Sequence, residues 1–286
     1  MEIKKVAVIG GGLMGRQIAL NTAIYPYEVK LVDSDSAVLE AVRVWAEEYL
    51  AGRIAKGRMS EDQVAGIKSR FHVVTTMEEA VKDADLVIEA VVEREYVKHA
   101  VLQQAGQLAP KGAIIATNSS RMVSSRFKTD VPDPSKLVNL HYFNPALVMK
   151  LIEVVRNDET SDDTVQSMFK FSRATGKTPI LVNKEIDGFV VNRILGAIYS
   201  EARWLVQEGY CSYEDLDLAC ENGLGHPMGP YRLNDLTGID LTYDMMSATY
   251  ERTGKKPVGY DQIKELYDQG RYGKKSGKGF YDYTKK

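Results

Sequence analysis

The fold of this chain is decided by residues 6–33, which begin with VAVIGGGLMG and end with VKLVD. The first four residues predict a buried strand, the glycines match the pattern GxGxxG, and apolar spacing predicts a helix over residues 13–24. A second strand follows and ends at Asp33, 23 residues after Gly10, a spacing typical of a dinucleotide-binding βαβ unit. The stretch therefore predicts a glycine loop between a strand and a helix N-terminus.

Each part of this loop suits a bound dinucleotide. Gly10 permits the tight turn, Gly12 lets the backbone approach a pyrophosphate, and Gly15 lets helix and strand pack closely. The helix N-terminus offers N–H groups and a positive dipole end to phosphates. Asp33 can accept hydrogen bonds from ribose hydroxyls and would repel a 2′-phosphate, so the pattern favours NAD over NADP. The alternative is an ordinary glycine turn in an α/β protein. The predicted cofactor contacts in this unit are Gly10, Gly12, Leu13, Met14, Gly15 and Asp33.

Short apolar strands alternate with helical patterns through the first 120 residues, so we expect an α/β fold with a Rossmann-type, doubly wound, mostly parallel sheet. Residues 36–69 are long for one crossover and predict a projecting helical hairpin, with Ser60 capping its second arm. After Gly188 the patterns are helical, and no strand is predicted until the last few residues. The predicted domains are residues 1–184, binding NAD, and residues 185–286, a mostly α-helical domain for substrate contact and dimerisation. The remaining strands are predicted at 71–74, 86–88, 114–116, 137–143, 151–155 and 179–182.

The composition is that of an ordinary globular protein. The 286 residues include 37 Lys+Arg and 39 Asp+Glu, a net charge of −2, which argues against a nucleic-acid or membrane-surface partner. No window of 18 apolar residues predicts a spanning helix, and the N-terminus runs directly into a strand. The two cysteines form no zinc pattern, so we expect no metal site and a cytoplasmic location.

A histidine and a glutamate lie on two adjacent predicted strands. His141 ends one strand and Glu153 lies on the next, so in a hairpin-like pair both can face the same side. A carboxylate bonded to one imidazole nitrogen fixes the tautomer and leaves the other nitrogen for proton transfer. Oxidation of a hydroxyl to a ketone needs such a pair. The alternative at this spacing is a pair of residues that face each other without a catalytic role. The other histidines, His72, His99 and His226, have no predicted partner and are interpreted as surface or loop residues.

Two more polar elements fall where a dinucleotide-dependent site needs them. Residues 117–120, TNSS, follow a strand at the carboxyl edge of the predicted sheet, where open α/β folds bind ligands. Asn192 begins a long predicted helix, from which it could reach towards the first domain. A turn or cap is the alternative role for either element.

Taken together, the chain resembles the L-3-hydroxyacyl-CoA dehydrogenase family, in particular the short bacterial 3-hydroxybutyryl-CoA dehydrogenases, over nearly its whole length. The segments that carry this resemblance are HYFNP at 141–145, VMKLIEV at 148–154, GFVVNR at 188–193, HPMGP at 226–230 and KSGKGFY at 275–281.

The resemblance implies roles for several residues. His141 would be the general acid/base and Glu153 its orienting partner, while Ser119 and Asn192 would bind the reacting 3-oxygen of an acyl-CoA substrate. Further residues would lie near NAD: Glu93, Lys98, Asn144 and Lys275. On the hairpin, Arg53 and Lys56, with Arg58 beside them, would contact the phosphates of coenzyme A, a solvated basic face being the alternative. A homodimer built through the helical domain is also implied.

Two of the chain's departures from the family pattern bear on the site. Residues 117–121 read TNSSR where the family usually has NTSSL, so the active serine is Ser119 or, as the second choice, Ser120. Arg16 and Gln17 stand where small residues are usual, which could alter cofactor affinity. Two other functions stay open, a dehydrogenase of free β-hydroxy acids and a non-catalytic, crystallin-like NAD-binding protein.

Overall fold

The computed structural model describes residues 2–284, which divide into two units between Val190 and Val191. The predicted boundary at 184/185 lies six residues earlier. The first unit contains one sheet, whose strands are β1 (Lys5–Ile9), β2 (Glu28–Val32), β3 (Phe71–Val74), β4 (Leu86–Glu89), β5 (Ile114–Thr117), β6 (Leu137–Tyr142), β7 (Leu151–Val155) and β8 (Thr178–Val182).

The sheet has the strand order β3-β2-β1-β4-β5-β6-β7-β8 and is parallel except for the β6–β7 pair. The predicted Rossmann-type, mostly parallel sheet is therefore confirmed. Alternate residues of its strands enter two separate apolar cores, as strand geometry requires. Val6 and Val8 of β1 belong to one core, and Ala7 and Ile9 belong to the other. The residues that can face a ligand therefore lie at the carboxyl edge of the sheet, where β1, β2, β4, β5 and β6 all end.

The helices of the first unit cover both faces of the sheet. They are α1 (Leu13–Ile24), α2 (Ser36–Ala55), α3 (Glu61–Lys68), α4 (Met77–Val81), α5 (Glu95–Leu108) and α6 (Asp162–Ala174). The core beside α1, α2, α3 and α6 includes Ile18, Val42, Ile67 and Phe171, while α4 and α5 pack on the opposite face.

The predicted hairpin forms from α2 and α3. Ser60 caps α3 through a capping box, because its side chain accepts from the Gln63 N–H and the Gln63 side chain accepts from the Ser60 N–H. The hairpin does not simply project from the sheet, since Leu39, Val64 and Ile67 are buried in the same core as β1 and β2. Its apolar faces therefore tie most of its length to the first unit.

The second unit is helical, as predicted. Its helices are α7 (Val191–Gln207), α8 (Tyr213–Gly223), α9 (Pro230–Thr237), α10 (Ile239–Thr253) and α11 (Tyr260–Asp268). They enclose a separate apolar core that includes Leu216, Tyr231, Ile239, Ile263 and Phe280. Within the described part of this unit the last residues form two isolated bridges, from Lys278 to Gly273 and to Asp282, so the expected terminal strand is wrong. No described helix is long and apolar enough to cross a membrane.

Candidate active site

The glycine loop has the geometry that its sequence predicts. Gly10 has φ +109° and its carbonyl oxygen lies 1.9 Å from where a Cβ on Gly15 would be, so neither position accepts a side chain. A Cβ built on Gly12 would meet nothing within 4 Å. Among the described residues, no side chain caps the N-terminus of α1 at Gly12. The glycine loop is therefore tightly packed at Gly10 and Gly15 and open at Gly12, which suits a phosphate group at a helix N-terminus.

Asp33 stands beside this loop. Its Oδ2 accepts a hydrogen bond from the Gly11 N–H at 2.7 Å, and its Oδ1 accepts from the Asp35 N–H at 3.0 Å. A cavity of about 530 Å³ adjoins it, lined by Gly10, Gly12 and Asp33 together with apolar side chains such as Met77 and Val97. A carboxylate at the end of an apolar cavity fits the adenosine half of a dinucleotide, with the ribose at Asp33.

His141 and Glu153 face each other across the antiparallel pair β6–β7. The imidazole Nδ1 lies 2.8 Å from the Glu153 Oε2, and both side chains are buried. Because a carboxylate can only accept, Nδ1 is the donor and the proton on this nitrogen is fixed. Within residues 2–284 the second nitrogen, Nε2, has no hydrogen-bond partner. The pair thus holds one nitrogen and leaves the other for exchange of a proton.

Aromatic rings and the start of the inter-unit connection surround this pair. The rings of Phe143 and Phe189 lie 4.6 and 5.4 Å from the His141 ring. Phe189 is fully buried with φ +49°, the one positive φ among described non-glycine residues, and this conformation explains why α7 begins at Val191 rather than at 189. The other oxygen of Glu153, Oε1, accepts from the Val190 N–H at 3.0 Å. Glu153 therefore fixes both the histidine and the chain that leaves the first unit.

The serine turn, residues 118–121, follows β5 at the same edge of the sheet. The Ser119 hydroxyl donates to Glu93 Oε1 and accepts from the Met122 N–H at 2.8 Å, and Ser119 is almost fully buried. Ser120 is half-buried, and its hydroxyl makes no hydrogen bond within the described chain. Asn118 Oδ1 accepts from the Tyr142 N–H at 2.9 Å, which joins the turn to the end of β6. The two candidate serines thus differ sharply in their environments.

Glu93 and Lys98, both predicted near the cofactor, lie directly beneath this turn. Lys98 is 1% exposed, and its Nζ lies 2.7 Å from Glu89 Oε1 and 3.1 Å from Glu93 Oε2. Its charge is therefore already balanced by two carboxylates, one of them fully buried. Neither Glu93 nor Lys98 is among the residues that line the cavity at Asp33.

The loop that leaves His141 is held by two polar side chains. The Lys177 Nζ donates to the carbonyls of Ala146 and Met149, and burial lowers the pKa of this lysine. Gln17 on α1 accepts from the Leu147 N–H at 3.4 Å. Asn144 lies in this loop and is exposed. Lys177 and Gln17 therefore connect the histidine's loop to β8 and to the helix behind the glycine loop.

Arg16 and Gln17, which follow the third glycine of the loop, are not among the described residues that line the cavity at Asp33. The Arg16 guanidinium lies 4.8 Å from the ring centre of Trp45 on α2, and Gln17 contacts the loop at Leu147. Leu13 and Met14 form the first turn of α1, with Leu13 exposed. The bulk of Arg16 and Gln17 is accommodated away from Asp33.

The remaining predicted residues lie elsewhere. Arg53 is in the last turn of α2 and Lys56 is its C-cap residue, at the far end of the hairpin's first arm. Asn192 is the second residue of α7, exposed, and Lys275 donates to Asp240 Oδ2 at 2.5 Å, both within the second unit. Their predicted roles stay predictions. Across residues 2–284 no group of three His, Cys, Asp or Glu side chains is placed to hold a metal ion.

Two features were missed by the sequence analysis. Glu89 is a hub of hydrogen bonds beneath the serine turn, and its signal was an acidic residue closing the otherwise apolar strand LVIE. The interpretation of His99 as a residue without a partner is wrong, because its Nδ1 lies 2.6 Å from Asp130 Oδ2. The cause is an unpredicted 3₁₀ segment, Ser124–Asp130, that packs against α5. His72 and His226 have no ion pair among the described residues.

Comparison with known proteins agrees with this geometry. Residues 5–186 match the family described as 3-hydroxyacyl-CoA dehydrogenase, NAD binding domain, and residues 188–283 match its C-terminal domain. The chain is 35% identical to the mitochondrial hydroxyacyl-coenzyme A dehydrogenase of Homo sapiens, over 98% of this chain and 91% of that protein. It is 34% identical to the probable 3-hydroxybutyryl-CoA dehydrogenase of Bacillus subtilis, over 100% of this chain and 99% of that protein. The structure of (S)-3-hydroxybutyryl-CoA dehydrogenase from Ralstonia eutropha matches with a TM-score of 0.89 at 31% identity, covering 99% of this chain and all of that one.

Proposed function

The chain belongs to the 3-hydroxyacyl-CoA dehydrogenase family, and we propose that His141 is the acid/base through which it interconverts (S)-3-hydroxyacyl-CoA and 3-oxoacyl-CoA. Its activity is that of an NAD-dependent 3-hydroxyacyl-CoA dehydrogenase. The observation that carries the proposal is the buried His141–Glu153 pair, in which Nδ1 lies 2.8 Å from Glu153 Oε2 and Nε2 has no hydrogen-bond partner in the described part of the chain. Proton transfer at oxygen is what this reaction requires of the protein.

The proposed roles follow from the hydrogen bonds of the pair. In oxidation, His141 Nε2 accepts the proton of the 3-hydroxyl, and Glu153 balances the charge that then forms on the imidazole. In reduction, the imidazolium donates this proton to the oxygen of the 3-oxo group. NAD, when bound, supplies or accepts the hydride. The buried ring of Phe189 and the half-buried ring of Phe143 limit access of water to the histidine.

We assign the serine that contacts the 3-oxygen by its hydrogen bonds. Ser119 can donate its hydroxyl hydrogen to a substrate only by giving up its bond to Glu93, whereas the Ser120 hydroxyl makes no hydrogen bond with any described residue. This difference supports Ser120, the second choice of the sequence analysis, over Ser119. Ser120→Ala should then lower kcat for acetoacetyl-CoA by about 10²-fold, the loss typical of one hydrogen-bond donor to a developing oxyanion. The opposite ranking of Ser120→Ala and Ser119→Ala would restore Ser119 to the role.

We further propose a preference for short acyl chains. Its support is the similarity to proteins named 3-hydroxybutyryl-CoA dehydrogenase at 34% and 31% identity. A series of 3-oxoacyl-CoA substrates of increasing chain length, compared by kcat/KM, tests it. A value that rises from the four-carbon to the long-chain substrate would contradict this preference while leaving the dehydrogenase activity intact.

A homodimer and a cytoplasmic location are proposals of the same kind. The helical unit exposes several large apolar side chains, including Leu224 at 70% and Leu241 at 56%, which a second copy could cover. Light scattering on the purified protein tests the dimer, and a monomer at micromolar concentration would contradict it. Fractionation of the source cells tests the location.

Substitution of His141 tests the central role. His141→Gln should lower kcat by about 10²–10⁴-fold, the usual contribution of general acid–base catalysis. The matched control is His72→Gln, because His72 is an exposed histidine on β3. NADH binding should be retained in both variants. Equal activity of His141→Gln and His72→Gln would overturn the assignment.

A further inference from the structure

Glu89 is a buried ionisable group that the proposed reaction does not use. It is the last residue of β4 and is 0% exposed. Its carboxylate accepts three hydrogen bonds, from Lys98 Nζ at 2.7 Å, Thr117 Oγ1 at 2.6 Å and the Val91 N–H at 2.8 Å. Burial of a carboxylate is costly unless it is paired and fully hydrogen-bonded, and here both conditions are met.

The first route from Glu89 reaches the serine turn through β5. Thr117 ends β5 and donates its hydroxyl hydrogen to Glu89 Oε2. The same Thr117 oxygen accepts from the Ser119 N–H at 3.2 Å. Because the hydroxyl has a single hydrogen, its donation to Glu89 directs its lone pairs towards Ser119. The backbone of the turn is thereby fixed relative to β4.

The second route passes through α5. Lys98 Nζ lies between Glu89 and Glu93, at 3.1 Å from Glu93 Oε2. The other oxygen of Glu93 accepts from the Ser119 hydroxyl and from the Arg121 N–H at 3.3 Å. Removal of the Glu89 charge would leave Lys98 with Glu93 alone, so the two ends of the route are electrostatically coupled. Both routes end on the serine turn.

We propose that Glu89 is a positioning residue that holds the serine turn, residues 118–121, in register with His141. The inference rests on the proposed function, since that turn carries the serine assigned to the 3-oxygen. Glu89 touches neither substrate nor cofactor in this account. It acts by fixing Thr117 and Lys98, which in turn fix the backbone and the side chain of Ser119.

The experiment compares variants that alter single hydrogen bonds in acetoacetyl-CoA reduction by NADH. Glu89→Gln should lower kcat by up to about 10²-fold, as expected when a reacting group is misplaced by about 1 Å, with little change in KM for acetoacetyl-CoA. Thr117→Val removes the hydroxyl with little change of shape and should also lower kcat. Thr117→Ser keeps the hydroxyl and should restore most of the activity.

The matched control is Thr175→Val. Thr175 is fully buried, and its hydroxyl bonds the carbonyls of Phe171 and Ser172, away from the serine turn. A merely structural role predicts that Thr117→Val and Thr175→Val lower thermal stability and kcat alike, and this result would overturn the inference. Wild-type kcat in soluble Glu89→Gln would overturn it as well. If Glu89→Gln does not fold, the kcat of Thr117→Val compared with that of Thr117→Ser tests the inference instead. A wild-type protein without activity would overturn the proposed function first, and this inference with it.

Discussion

The two units bury carboxylates in different ways. In the first unit, Glu153 and Glu89 accept from side chains at the carboxyl edge of the sheet, such as His141 and Lys98. In the second unit, Asp217 accepts from the Tyr231 and Arg232 N–H groups and the Tyr281 hydroxyl. Asp235 likewise accepts from the Phe280 and Tyr281 N–H groups and the Tyr283 hydroxyl. These second-unit acceptors are satisfied mainly by the backbone.

This difference matches the proposed division between residues that support chemistry and residues that stabilise a fold. His141, which donates to Glu153, has a second nitrogen with no hydrogen bond among residues 2–284. In contrast, each backbone N–H bound by Asp217 or Asp235 has its one hydrogen already donated. One glycine in each of the motifs HPMGP and KSGKGFY packs against one of these aspartates. A Cβ on Gly229 would lie 2.3 Å from Asp217, and one on Gly279 would lie 2.0 Å from Asp235. Both motifs, which resemble those of the family, therefore also have a role in packing the second unit.

The largest effect is expected in the first unit. Glu153→Gln removes the negative charge and leaves one acceptor oxygen for two donors, His141 Nδ1 and the Val190 N–H. The imidazole therefore loses its charge partner, and it also loses its fixed tautomer if the amide turns its NH₂ group towards Nδ1. We expect kcat to fall by about 10²–10⁴-fold, close to the loss for His141→Gln. Steady-state kinetics of the single variants and of the double variant measure this. Strictly additive losses in the double variant would contradict the view that the two side chains act as one unit.

A smaller effect, on stability rather than rate, is expected in the second unit. Asp217→Ala leaves buried donors at Tyr231 and Arg232 without an acceptor, which should lower the free energy of unfolding by about 1–3 kcal/mol. The exposed Asp244 on α10 is the matched control, and Asp244→Ala should change stability by less than about 0.5 kcal/mol. Denaturant unfolding measures both. An Asp217→Ala protein with native stability and reduced kcat would break the comparison between the units.

The smallest expected effect is the pH dependence of folding stability that Asp235 contributes in the second unit. Burial is the main cause that raises the pKa of Asp235 above its ordinary value of 3.8. The folded protein therefore binds this proton more tightly than the unfolded chain, so the contribution to stability is full below pH 3.8 and is lost as pH rises through the raised value. The stability of the wild type relative to Asp235→Asn should fall as pH increases across this window. Unfolding measured at a series of acidic pH values tests the slope, and a rise with pH would contradict it.

Strands, helices and the glycine loop could be predicted from sequence because their signals are local. Short apolar, β-rich runs placed β1 to β8, and the capping residue Ser60 marked the start of α3. The facing of His141 and Glu153 also followed from a local rule, the two-residue period of paired strands. For the same reason the glycine roles at Gly10 and Gly15 needed no tertiary information.

The network beneath the serine turn could not be predicted, because its members come from separate elements. Glu89, Lys98 and Thr117 lie on β4, α5 and β5, and only the packing of these elements brings them within 3 Å. The choice between Ser119 and Ser120 depends on a hydrogen bond to Glu93 that no spacing rule indicates. The His99–Asp130 pair escaped prediction because it needs a 3₁₀ turn without a strong sequence signal.

The most direct test of the account is the rate of NADH oxidation with acetoacetyl-CoA, run beside free acetoacetate and with NADPH as the competing reductant. The account predicts rapid turnover with acetoacetyl-CoA and NADH, little with acetoacetate, and little with NADPH because of Asp33. His141→Gln should lower this turnover by about 10²–10⁴-fold while NADH still binds. Activity with acetoacetate alone would contradict the assignment to acyl-CoA substrates. Absence of turnover with acetoacetyl-CoA, in a protein that binds NADH, would contradict the catalytic role of the His141–Glu153 pair.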